Sequence, residues 1–227
     1  MLTIALYGDS ITRGVTWDEG RGRYVYLKES FDKLMEAAGT VKFINRSRFG
    51  ATAAEGFAEF ELEKPAAADV LAIAYGGNDC TPDWKAVAEN PEANHPAKTG
   101  LDEFIATLTR FVLKAREQNK KAILVTPPPL VAERFVPWIS RGLDACAIQR
   151  YLGDIHHVYR WQEQYALAVH QVARHAQCLL FDMRASFLRE RDLGSLYCID
   201  GMHPNGKGHQ LIASAASAQL PELTAAL

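Results

Sequence analysis

Two short stretches at opposite ends of the chain carry residues that could do chemistry. Near the start, Gly8-Asp9-Ser10-Ile11-Thr12-Arg13-Gly14 follows an apolar run at residues 2–7. That run has the length and β-branched content of a buried strand. A strand, then glycine, then a small hydroxylated residue leading into a helix places that residue at the carboxyl edge of an open α/β sheet. Ser10 would there have a free side chain and a backbone N–H near a helix start, pre-positioned to stabilise negative charge. The same residues read equally well as a strand closed by an Asp-Ser N-cap. Near the end stands Cys198-Ile199-Asp200-Gly201-Met202-His203-Pro204-Asn205. An Asp three residues before a His can bring both side chains to one side of a turn. The carboxylate can then hold the imidazole Nδ1–H and leave Nε2 free to take a proton from a nucleophile. Taken alone, this octapeptide reads first as a turn followed by the start of a helix.

The elements that must position these groups alternate along the chain. After the first strand comes a polar loop at 16–23. Leu27, Phe31, Leu34, Met35 and Ala38 then fall at helical spacing, with Gly39 at a C′ position. A short strand at 41–45 leads into Arg46-Ser47-Arg48-Phe49-Gly50-Ala51-Thr52, a loop ending at another helix start. Residues 70–75 are continuously apolar, as in a strand covered on both faces, and run into Gly76-Gly77-Asn78-Asp79. Leu101, Phe104, Ile105, Leu108, Phe111, Val112 and Ala115 form an amphipathic helix. Further strands are expected at 122–126 and 178–181, and further helices at 155–176 and from 206 to about 220. The pattern predicts one doubly wound, three-layer α/β/α domain over 1–227 with a five-stranded parallel sheet, flavodoxin-like. Residues 80–100 and 130–153 lack periodicity and follow strand ends. They are expected to be loop insertions over the carboxyl edge, as lids or substrate walls.

The bulk numbers exclude several classes. At 227 residues, with 48% hydrophobic and 23% charged residues, the chain is long enough to bury a core without staples. A net charge of −2 argues against a nucleic-acid or anionic-membrane partner. No run approaches the roughly 18 apolar residues of a membrane span, and because Met1 runs straight into the first strand no secretory leader is expected. Cys80, Cys146, Cys178 and Cys198 show no metal-type spacing and are expected to be free thiols in a reducing cytoplasm. His156, His157, His170 and His175 lack carboxylates at ligand spacing, so no metal site is expected.

Taken together, Gly8-Asp9-Ser10, Gly50, Gly76-Gly77-Asn78-Asp79 and Asp200-Gly201-Met202-His203-Pro204-Asn205 form an ordered set. The set resembles the SGNH, or GDSL-like, superfamily of esterases and acylhydrolases over nearly the whole chain. The resemblance implies a serine esterase without a cofactor. Ser10 would be the nucleophile, His203 the general base and Asp200 its orienting carboxylate. It also implies an oxyanion hole made by the Ser10 N–H, the Gly50 N–H and the Asn78 side-chain amide. Many members carry a glycine where this chain has Ser47, which puts the shape of that loop in question. Asp9 beside Ser10 is expected to tie down the turn, and Asp79 to be structural.

Other functions fit less well. A nucleotide binder would need GxGxxG or a P-loop, and residues 8–14 are neither. A silent carbohydrate-binding relative would have lost one of the residues above, and all are present. Within the enzyme class, a lysophospholipase or thioesterase remains the alternative to an acetyl esterase. Trp84 and Trp138, in the two insertions, favour the latter: indoles give sugars an apolar platform, and neighbouring polar groups can bind hydroxyls. Both indoles could instead anchor their loops. The expected substrate is a short-acyl, acetyl ester of a polar, sugar-like alcohol.

Overall fold

The structure, a computed structural model, describes residues 1–39, 41–63 and 66–225, with the backbone alone for 223–225. The chain runs β1 (Leu2–Gly8), β2 (Val15–Asp18), β3 (Arg23–Tyr26), α1 (Phe31–Ala37), β4 (Val41–Asn45), α2 (Ala53–Leu62) and β5 (Val70–Ala74). It continues through α3 (Trp84–Glu89), α4 (Leu101–Glu117), β6 (Lys121–Val125), α5 (Ala132–Ile139), α6 (Ala145–Leu152) and α7 (His157–His175). The last elements are β7 (Leu179–Phe181), α8 (Met183–Leu188), a 3-10 turn at Leu193–Leu196 and α9 (Gly206–Ala225).

Five strands form a parallel sheet in the order β4-β1-β5-β6-β7. The period-2 alternation of β1 divides its side chains between two cores. Ala5 and Tyr7 join Phe57, Phe60, Phe104, Leu108, Phe111 and Val169 beneath α2, α4 and α7. Ile4 and Leu6 join Phe31, Met35, Met183, Phe187 and Ile212 beneath α1, α8 and α9. The chain leaves β1 for β4 on one side and then crosses to β5 on the other. The carboxyl ends of β1 and β5 therefore meet at the switch point where open α/β sheets bind ligands.

Three expectations need correction. Residues 10–14 make a single hydrogen-bonded turn (Arg13 N–H to Asp9 O, 3.0 Å; Gly14 N–H to Ile11 O, 3.0 Å), and the chain then enters β2 instead of a helix. The expected polar loop at 16–23 belongs to an antiparallel β2–β3 hairpin pairing Val15 with Tyr26 and Trp17 with Tyr24. Four-residue strands are too short to show their alternation against a charged turn. The third correction concerns 80–100 and 130–153, which hold α3, α5 and α6 instead of open loops. Asp83 caps α3 by accepting from Lys85 and Ala86, and Asp144 caps α6 by accepting from Ala147. These helices close a third apolar cluster around Val87, Phe135, Ile148 and Leu152.

Beneath α9, His209 is fully buried. Its Nδ1 accepts the Phe31 N–H at 3.3 Å, and its Nε2 has no partner among the described residues. Burial lowers its pKa from 6.5 to about 4, against the weaker pull of Asp32. Between those values the unfolded chain binds a proton that the folded one refuses, so His209 costs stability as pH falls through that window. Asp9 and Asp79, raised by burial from 3.8 to about 6, act in the opposite sense over an overlapping range. A whole-protein melt would mix these effects. The resolved ring resonances of His209 are therefore the proper readout, and they should show a neutral imidazole down to about pH 4. A midpoint near 6.5 would mean that the ring is hydrated.

Candidate active site

The ends of the chain meet over the switch point. Ser10 follows β1, and its carbonyl accepts the Val15 N–H at 2.9 Å, which fixes the turn against β2. Asp9 turns its Oδ1 to the Ile11 N–H at 2.9 Å, as expected of a residue tying down the turn. The His203 loop is braced from three sides. Cys198 N–H donates to His203 O at 2.9 Å, and Val131 N–H, at the start of α5, donates to Gly201 O at 2.7 Å. Asn205 Oδ1 accepts from Lys207 and Gly208 and so caps α9.

This bracing brings Ser10 Oγ to 2.8 Å from His203 Nε2, and His203 Nδ1 to 2.7 Å from Asp200 Oδ2. A carboxylate can only accept, so Nδ1 carries the proton and Nε2 accepts from the Ser10 hydroxyl. Asp200 Oδ1 takes the N–H groups of Met202 and His203, both at 3.0 Å. Burial alone would raise the Asp200 carboxyl. The hydrogen bond and charge of His203 and the two N–H donors outweigh it and hold the group below its ordinary value. The arrangement can pull a proton from Ser10 and hold the resulting imidazolium against a buried anion.

Donors for a developing negative charge lie on the neighbouring loops. Among the described residues, the N–H groups of Ser10 and Gly50 have no hydrogen-bond acceptor. Gly50 has φ +75 in open space, a conformation that side chains resist. Asn78 Nδ2 spends one hydrogen on Ala51 O at 3.1 Å, which ties it to the same loop. Gly76, at φ +126, makes the turn beyond β5. Asp79 then holds that turn through the Gly76 N–H (3.0 Å) and binds the first N–H of α2, that of Ala53 (2.9 Å). Ser47 fits without distorting its loop. Its hydroxyl accepts from Thr12 Oγ1 at 2.9 Å, its N–H reaches Asn45 Oδ1 at 3.0 Å, and its φ is not positive.

The two indoles separate. Trp138 packs edge-on against Trp17 (4.6 Å between ring centroids) and lies 6.3 Å from Tyr24, whose ring is 4.9 Å from His203. Trp84 instead packs between Phe135 and Trp161 on the third apolar cluster, with Met202 of the His203 loop on the same cluster. Two aromatic residues at the site were not expected. Tyr24 OH donates to Asp200 Oδ2 at 3.0 Å, and the Phe49 ring lies 6.0 Å from the His203 ring, nearly parallel to it and 55% exposed. Gly20 and Gly22 mark a turn ahead of Tyr24, but nothing local marks its partner. Phe49 had no signal beyond its place beside Gly50.

Among the described residues, no group of three or more His, Cys, Asp or Glu side chains is placed to hold a metal ion. No helix among them is long and apolar enough to cross a membrane.

The fold has close relatives in known structures. A lipase/acylhydrolase from Enterococcus faecalis superposes with a TM-score of 0.66 at 21% identity, over 97% of this chain and 95% of that one. A variant of an acetyl-xylooligosaccharide esterase from Geobacillus stearothermophilus does so with a TM-score of 0.64 at 26% identity, over 94% and 91%. In sequence, the chain is 27% identical over 157 residues to an isoamyl acetate-hydrolyzing esterase 1 homolog from Bos taurus. That match takes in 67% of this chain but only 55% of the bovine protein, so the chain spans about half the length of that relative. The model of the GDSL-like lipase/acylhydrolase family matches residues 6–211, from the end of β1 through the His203 loop into α9. The chain therefore belongs to the GDSL-like lipase/acylhydrolase family.

Proposed function

We propose that Ser10 attacks the carbonyl carbon of a short-acyl, acetyl ester while His203 Nε2 takes the hydroxyl proton, with Asp200 holding the imidazole. The observation that carries this reading is the continuous chain Ser10 Oγ–His203–Asp200 at 2.8 and 2.7 Å. The oxyanion of the tetrahedral intermediate sits among the Ser10 N–H, the Gly50 N–H and the free N–H of Asn78. Collapse breaks the ester C–O bond, and His203 returns its proton to the departing alcohol. Water then repeats the sequence on the acyl-enzyme and releases the acid.

Crowding at the nucleophile supports the short acyl group. Ser10 is 7% and His203 3% exposed, with aromatic rings on the histidine side. Two of the relatives named above, the bovine and the Geobacillus proteins, are described as acting on acetate or acetyl esters. On the alcohol side, the exposed face of Phe49, with Trp138 beyond Tyr24, suits a polar alcohol bearing a ring such as a sugar. Arg141 lies 3.5 Å over the Trp138 ring and adds a polar edge.

A panel of acetyl, butyryl and decanoyl nitrophenyl esters, with acetylated xylose and isoamyl acetate beside them, tests the reading. Acetyl esters should exceed decanoyl ones in kcat/KM by roughly tenfold or more, since each misplaced methylene in a tight site costs about 1–3 kcal/mol. The acetylated sugar should exceed isoamyl acetate. A preference for decanoyl esters would overturn the short-acyl assignment and favour a lysophospholipase or thioesterase.

A further inference from the structure

Resting on the assignment of Ser10, His203 and Asp200 just made, we propose that the β2–β3 hairpin clamps the acid–base loop and that Tyr24 is a positioning residue for Asp200. The N–H donors on Asp200 Oδ1 come from its own loop and travel with it. The Tyr24 hydroxyl, 3.0 Å from Oδ2, comes from outside that loop and fixes the carboxylate relative to the rest of the site. It shares Oδ2 with His203 Nδ1, so it sets the oxygen that orients the imidazole. A second tether lies two residues earlier in the loop. There Cys198 Sγ is 3.1 Å from Thr16 Oγ1 and 3.4 Å from the Trp17 N–H, both on β2.

The base of the hairpin grips the nucleophile turn. Val15 N–H donates to Ser10 O at 2.9 Å, and Leu27 N–H donates to Gly14 O at 2.8 Å. One short hairpin thus holds both segments whose spacing sets the contact between Ser10 and His203. Trp17 packs edge-on against Tyr24 at 5.0 Å and is itself held by Trp138, so the phenol has a fixed place. The ring, 4.9 Å from His203, also covers the Asp200 side of the imidazole. Burial and the adjacent carboxylate push the phenol far above its ordinary pKa, so it stays a donor throughout.

Other titratable groups face the pair from several elements. They are Asp9 on the nucleophile turn, Cys198 earlier in the loop and His209 on α9. Arg134 of α5 spends its guanidinium on the carbonyls of Gly194, Tyr197 and Cys198. None of these donates to Asp200 Oδ2, so removal of the Tyr24 hydroxyl has a distinct signature.

Tyr24→Phe keeps the ring and removes the donor. It should lower kcat by about 2- to 10-fold, the kinetic equivalent of one hydrogen bond, with KM for the same ester unchanged. The acid limb of kcat/KM should move to higher pH, because a carboxylate that has lost a donor holds the imidazolium more firmly. Thr16→Val removes one of the two contacts of the other tether, keeps the Trp17 N–H on Cys198 and leaves Tyr24 in place; it should lower kcat with KM unchanged. Wild-type kcat and an unmoved acid limb in Tyr24→Phe would overturn the proposal, as would a kcat loss that only tracks a fall in Tm. Failure of the underlying assignment would look different, because wild-type enzyme would then not be labelled at Ser10 by a serine-directed phosphonate.

Discussion

Ser10→Ala should lower kcat by on the order of 10⁴- to 10⁶-fold, the range seen when a nucleophile is removed from a preorganised site. The loss is this large because the oxygen that forms the acyl bond is deleted outright, and among the described residues no other hydroxyl makes a hydrogen bond with His203 Nε2. The fold should survive. The turn is held by main-chain bonds from Val15 and Arg13 and by the Asp9 carboxylate, none of which uses the Ser10 side chain. Stability should change by no more than about 1–2 kcal/mol, the cost of leaving one imidazole nitrogen without its partner. A phosphonate should label wild-type enzyme once and the variant not at all, and unfolding curves of the two should nearly coincide. Persistent labelling at another serine, or turnover within tenfold of wild type, would remove Ser10 from the reaction.

The sheet and the site were legible in the sequence to different depths, for physical reasons. Strands covered on both faces, such as β1 and β5, read as continuous apolar runs because each must satisfy two cores. Ser10, Gly50, Asn78, Asp200 and His203 were legible as an ordered set that resembles a known family, whereas each stretch taken singly reads as an ordinary turn or cap. Tyr24 was not legible. Its hydrogen bond to Asp200 spans 176 residues and depends on a hairpin of two four-residue strands, and no local pattern encodes such a pairing. Trp84 was ambiguous for the opposite reason, since an indole in a proline-interrupted stretch looks the same whether it faces a ligand or an apolar cluster. The short helices α3 and α6 were written in their caps, Asp83 and Asp144, more than in their periodicity, and α5, which follows Val131, has no side-chain cap. Six to eight residues supply too few apolar positions for a period to emerge.

Asn78→Ala should lower kcat by about 100-fold, as loss of one preorganised oxyanion donor does in other acyl-transfer sites. The ground-state ester carbonyl carries little charge, whereas the tetrahedral intermediate carries a full one. The amide therefore acts chiefly after binding, and KM should change much less than kcat. The loss should be smaller than in Ser10→Ala because the Ser10 and Gly50 N–H groups remain. The turn should also hold without Asn78. Asp79 carries its anchors to Gly76 and Ala53, and Gly76 makes the left-handed step. One complication is the bond from Asn78 Nδ2 to Ala51 O, since its loss could loosen the loop that presents the Gly50 N–H. Asn78→Asp also loses the donation to Ala51 O, because a carboxylate only accepts, so it tests the donor without sparing the tether. It keeps the shape and places an acceptor where the oxyanion forms, so it should be at least as slow as the alanine variant. Single-turnover acylation by an acetyl nitrophenyl ester reports the chemical step in all three proteins. Unchanged acylation in both variants would remove Asn78 from the oxyanion site and assign the charge to the two backbone donors.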